Sequence, residues 1–117
     1  MKKNLLLLFA AFATLVANAQ TKVEINGIYY NITSETDKTV EVIYKGDSYD
    51  SYNDEYSGSI TLPATVTHNG VAYSVTSIGE EAFRGSWKLT SITLPEGVTS
   101  IGSFAFTSCS SLTAITL

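Results

Sequence analysis

The chain has one cysteine, Cys109, and one histidine, His68. A thiolate beside an imidazole makes a nucleophile, and distance along the chain does not rule such a pair out. Cys109 also falls at a ladder position of an internal repeat, where a buried thiol is inert. His68 precedes Asn69-Gly70 and reads as a turn residue. Serines and aspartates are plentiful, but there is no G-x-S-x-G elbow, no G-x-G-x-x-G and no phosphate-binding loop. Asp47, Asp50, Asp54 and Glu55 offer the oxygen ligands that Ca²⁺ takes. Their spacing departs from an EF-hand loop, and a solvated acidic loop accounts for them. A single cysteine builds neither a disulfide framework nor a cysteine metal site. The expectation is a protein with no catalytic constellation, no cofactor and no metal.

The residues suited to non-covalent recognition are more regular. Thr61, Thr93 and Thr116 sit in equivalent strand segments, as do Ser59, Ser91 and Ala114. With Pro63 and Pro95, they occupy the positions between the apolar core residues of each strand. The threonines would form a hydroxyl column about 4.8 Å apart. That column is either a weakly polar docking face for a protein or glycan, or simply the β-propensity of threonine on an exposed sheet. The candidate ligand-binding residues are therefore Thr61, Ser91, Thr93, Ala114 and Thr116. Trp87 stands at a variable repeat position and is a candidate contact by stacking, with packing over the adjacent turn as the plainer role. Tyr49 and Tyr52, with Tyr56 nearby, are weaker candidates in the manner of antibody contact loops.

Strands at a fixed period must position these residues. Val75-Thr76-Ser77-Ile78-Gly79-Glu80-Glu81-Ala82-Phe83 returns 23 positions on as Val98-Thr99-Ser100-Ile101-Gly102-Ser103-Phe104-Ala105-Phe106. Leu89-Thr90-Ser91-Ile92-Thr93-Leu94 returns as Leu112-Thr113-Ala114-Ile115-Thr116-Leu117, so 12 of the 20 aligned pairs are identical. A period of this length with an L-x-x-L-x-L core predicts a leucine-rich repeat solenoid. The expected fold is β-rich, with short parallel strands and return arms of turns or short helix. Ile92 and Leu94 point into the core, Leu89 enters from the preceding turn, and Pro95 stops the ladder. Gly79 permits a bend, Glu80 to Ala82 favour a short helical turn, and Phe106 should stack above Phe83.

Residues 20–58 lack the repeat. Val23 and Ile25, Asn26-Gly27, then Ile28, Tyr30 and Ile32 predict a β-hairpin, and Thr39 to Tyr44 a third strand. These should form an N-terminal antiparallel β cap. The repeats then run over 59–117. Ser59 to Pro63 opens them with an irregular first coil, lengthened by a second hairpin around Asn69-Gly70. Residues 1–19 read as a signal peptide: Lys2 and Lys3, an apolar run from Leu5 to Ala17, and Ala17-Asn18-Ala19 at the cleavage site. The run is too short to span a membrane, and no span follows cleavage. Without Lys2 and Lys3, the chain keeps 5 basic against 11 acidic residues, a net charge of −6. That balance disfavours nucleic acid and anionic membrane surfaces.

Leu-Pro-x-x-Val-Thr-Ser-Ile-Gly-x-x-Ala-Phe, followed by Cys-Ser-Ser-Leu-Thr-x-Ile-Thr-Leu, resembles the BspA-type leucine-rich repeat of bacterial surface proteins. The resemblance covers Ser59 to Leu117. It departs from the pattern at Ser86, where the repeat has cysteine, as at Cys109. It implies a secreted or cell-surface binding module for protein or cell adhesion. Its partners would be host matrix proteins, cell-surface proteins or glycans, met by avidity over a repetitive face. A structural stalk within a larger surface protein is the alternative. No polar cap follows Leu117, so a longer repeat protein is expected. Asn31-Ile32-Thr33 is a glycosylation sequon.

Overall fold

A computed structural model describes residues 22–46 and 56–117. The expected signal peptide and most of the acidic loop, with Tyr49 and Tyr52, lie outside the described residues. The first strands are β1 (Lys22–Ile25), β2 (Ile28–Ser34) and β3 (Thr39–Ile43). β1 and β2 pair antiparallel around Asn26-Gly27, and β2 pairs antiparallel with β3. Asn26 and Gly27 both have positive φ, at 52° and 87°. Two successive left-handed residues make the hairpin turn whose twist matches the strands, which is why Asn-Gly stands there.

The next strands are β4 (Ser57–Thr61), β5 (Thr65–His68), β6 (Val71–Ile78), β7 (Lys88–Thr93), β8 (Ser100–Ile101) and β9 (Ala114–Thr116). Two sheets result. One runs β4-β7-β9 and is wholly parallel. The other runs β1-β2-β3-β6-β5, with β8 also on β6. The long β6 serves two partners in series. Its first half pairs antiparallel with β5 around Asn69-Gly70, and its end pairs parallel with β8. β3 pairs parallel with β6, so the N-terminal strands hydrogen-bond directly onto the repeat.

Each repeat therefore contributes a strand to each of the two sheets, with parallel pairing between coils in both, where the sequence predicts one strand per repeat. The run Val75-Thr76-Ser77-Ile78 forms the second strand. The return arm is also not helical: among the described residues there is no helix. The Phe83, Glu81 and Gly85 amides donate to Ala105, Ser103 and Thr107 carbonyls in the next coil at 2.8–2.9 Å. Ala82, Arg84 and Ser86 donate three residues back within their own coil. A helix would aim every amide along its own axis and leave the neighbouring coil unbonded. Alternation requires left-handed residues at fixed points. Glu81 and Phe104 share one such point, with φ 62° and 59°, and Gly85 and Ser108 share the other, with φ 79° and 63°.

One apolar core joins the N-terminal strands to the repeats. Tyr30, Val40 and Val42 pack with Val75, Ile78, Phe83, Leu89 and Ile92. The rings of Phe83 and Phe106 stack at 5.3 Å with an interplanar angle of 2°. Tyr56 extends the column, its ring 4.8 Å from Phe83. Close coil contact also explains the glycine in each Ile-Gly step. A Cβ at Gly102 would lie 2.6 Å from the Glu80 nitrogen, and one at Gly79 would lie 2.9 Å from the Val42 carbonyl.

Candidate functional site

The parallel sheet β4-β7-β9 sets the candidate face. Its register places Thr61, Thr93 and Thr116 in one row, and Ser59, Ser91 and Ala114 in another. Leu62, Ile92 and Leu94 turn inward and are buried. The alternation of a strand then sends the small polar residues outward. Thr61, Thr116, Ser59 and Ala114 are exposed, and Ser91 and Thr93 are half-buried. The Ser59 and Ser91 hydroxyls lie 2.6 Å apart in a hydrogen bond. These rows contain no ionisable group, so they offer hydroxyl donors and acceptors but no acid, base or nucleophile of shifted pKa.

Thr61 also stands at the rim of a groove of about 510 Å³. Ile25, Ile28, Tyr30, Pro63 and Val66 line it with Thr61. The groove lies between the β1–β2 turn and β5, two elements at opposite ends of the strand order, so the sheet must curl to bring them together. Burial pushes the Tyr30 phenol up to about 12, which keeps it neutral.

The aromatic candidates separate. Trp87 is exposed, with the Lys88 ammonium 4.9 Å from the ring centroid. Tyr56 is a correction: it is core, not a surface contact. Its hydroxyl donates to the Ile43 carbonyl at 2.7 Å and accepts from the Tyr29 amide at 2.9 Å. The sequence reading passed over Phe104, which is exposed with the Arg84 guanidinium 5.1 Å from its ring. Its equivalent in the preceding repeat is Glu81, whose carboxylate pairs with Arg84 at 2.8 Å. An aromatic replacing a carboxylate at an outward repeat position is the signal that marks it.

Cys109 and His68 do not meet as a pair. The Cys109 thiol donates to the Phe83 carbonyl at 3.0 Å, and burial pushes its pKa up, against a smaller opposing effect of a backbone hydrogen bond at Ser86. His68 Nε2 accepts from the Asn69 side-chain amide at 3.2 Å. The sequon asparagine, Asn31, is buried and donates to Glu41 at 3.0 Å. Among the described residues, no group of three or more histidine, cysteine, aspartate or glutamate side chains could hold a metal. No helix long and apolar enough to cross a membrane occurs among the described residues.

The family model for the BspA type leucine-rich repeat region (6 copies) matches residues 50–117, more than half of the chain. The chain belongs to the BspA-type leucine-rich repeat family. A leucine-rich repeat protein from Bacteroides ovatus is similar to this BspA-type chain at 36% identity with a TM-score of 0.65. The match covers 81% of this chain and 23% of that one. A leucine rich cell surface protein from Faecalibacterium prausnitzii matches at 30% identity and TM-score 0.62, over 85% of this chain and 24% of that one. A leucine-rich repeat protein from Bacteroides capillosus matches at 32% identity and TM-score 0.64, over 82% and 64%. The chain thus spans about a quarter of the first two and under two thirds of the third. No curated protein sequence matches it.

Proposed function

We propose that this chain is an exported binding module, the capped start of a leucine-rich solenoid, whose outward Thr61–Thr93–Thr116 face adheres to a protein or glycan on another cell or matrix. The observation that carries this reading is the register of that face: chemically matched hydroxyls recur along three parallel strands with no charge between them. Such a surface suits many weak contacts summed by avidity rather than one deep pocket. The exposed Trp87 supplies a larger contact at the end of the return arm that leads into β7. The β1–β3 strands, paired through β3 to β6, cover the first coil as a cap. The likeness to a cell surface protein supports an extracellular location.

The test is capture of the purified chain on arrays of matrix proteins and glycans. Thr93→Lys and Thr116→Lys, made singly, should each weaken capture by about tenfold, the scale of one interface hot spot. Circular dichroism should stay unchanged. Capture that survives both changes in folded protein would move the reading to a stalk, which is indifferent to its outward side chains.

A further inference from the structure

Two Asn-Gly turns in this chain share one backbone geometry. Asn26 and Asn69 both have φ 52°, and Gly27 and Gly70 have φ 87° and 79°. All four residues are exposed, and no atom lies within 4 Å of a Cβ built on either glycine. Each asparagine closes a hairpin of one sheet, β1–β2 or β5–β6. Asn-Gly is the pair at which a backbone nitrogen most easily attacks an asparagine side chain, because glycine presents no side chain to obstruct it. The two turns must open alike to react, so any difference in rate comes from their hydrogen bonds.

Those bonds differ. The Gly27 nitrogen donates to Glu24 Oε2 at 2.6 Å. This is a short bond to a charged acceptor, the stronger class of hydrogen bond. It must break before the nitrogen can attack, and the adjacent carboxylate disfavours the loss of the amide proton that attack requires. The Gly70 nitrogen has no such acceptor among the described residues. At that turn the contact falls on the other partner: the Asn69 Nδ2 group donates to the His68 imidazole. That contact leaves the attacking Gly70 nitrogen itself unengaged.

We propose that Asn69-Gly70 is a spontaneous deamidation site, while Asn26-Gly27 is protected by the Glu24 carboxylate. The Gly70 nitrogen bonds to Asn69 Cγ, the Cγ–Nδ2 bond breaks, and ammonia leaves with the amide proton. One water then opens the cyclic imide at either carbonyl, giving aspartate or isoaspartate. No electron is transferred, and water is the only co-reactant. The isoaspartyl product carries a methylene in its main chain. The two-residue turn is then lengthened and the His68–Val71 pairing that closes β5–β6 is lost. Because Val66 on β5 lines the groove beside Thr61, the rim of the candidate face changes with it. This inference goes beyond the adhesion reading and does not depend on it.

Peptide-mapping mass spectrometry tests it on the folded chain, held at neutral pH and physiological temperature and sampled over weeks. Acid forms should accumulate at Asn69 about tenfold faster than at Asn26, the scale of one charge-assisted hydrogen bond. Glu24→Gln removes the anionic acceptor at an exposed position of β1 and should raise the Asn26 rate toward that of Asn69. Equal rates in the wild-type chain, or a ratio untouched by Glu24→Gln, would overturn the proposal.

Discussion

The two repeat coils, Val75 to Leu94 and Val98 to Leu117, are near copies in sequence set in different surroundings. Ile78 is 1% exposed and its copy Ile101 is 48% exposed; Ile92 is 1% exposed and Ile115 is 45% exposed. Phe83 lies between Tyr56 and Phe106, whereas Phe106 stacks on one aromatic neighbour among the described residues. The first coil is enclosed because β3 and Tyr56 cover one side and the second coil covers the other. Identical residues with identical propensities thus hold different amounts of folding energy. In a repeat array that energy resides in the contacts between neighbouring coils.

Truncating the aromatic column tests this contrast most strongly. Phe83→Ala should cost about 3–5 kcal/mol, the usual loss for a buried phenylalanine. Phe106→Ala should cost about half as much, because the ring is only partly buried and keeps one stacking partner. Denaturant unfolding of both variants measures the difference. Equal costs would mean that the second coil is as enclosed in solution as the first, and the comparison would break.

The isoleucine pair sharpens the same point on the β4-β7-β9 sheet. Ile92 and Ile115 are register partners in β7 and β9. Ile92→Ala should lose about 2–4 kcal/mol and Ile115→Ala less than about 1 kcal/mol. The β9 strand therefore depends more on its hydrogen bonds to β7 than on apolar burial. A large loss at Ile115 would show that a partner covers this face, and titrating chain concentration would then reveal association.

Much of this was legible in the residues. The 23-residue period placed β7 and β9 in register and predicted the stacked phenylalanines. Both Asn-Gly pairs marked hairpins through the positive φ that the turn demands. The return arm misled because Glu80, Glu81 and Ala82 are good helix formers, and helix propensity is a property of one segment. The hydrogen bonds that set the arm run to another coil, so they override it. Tyr56 was hidden by phase. It precedes Phe83 by 27 positions, not 23, within an acidic tyrosine-rich stretch. The alternation along the strands made the threonine rows readable. The groove beside Thr61 was not, because it joins strands that only the curl of the sheet brings together.

The smallest expected effect isolates one atom that differs between the coils. Ser86 and Cys109 hold the same repeat position. The Ser86 hydroxyl is fully buried and has no hydrogen-bond partner among the described residues, whereas the Cys109 thiol is half-buried and reaches the Phe83 carbonyl. A buried hydroxyl without a partner costs about 1–3 kcal/mol, while a thiol behaves as a small apolar group. Ser86→Cys should therefore stabilise the chain by about 1 kcal/mol, seen as a higher denaturant midpoint at unchanged slope. Cys109→Ser should cost less than the orphaned hydroxyl does, because its site admits water. Ser86→Ala is the control that separates polarity from volume. If alanine stabilises and cysteine does not, the enclosed coil lacks room for sulfur, and the coils differ in packing space as well as in burial.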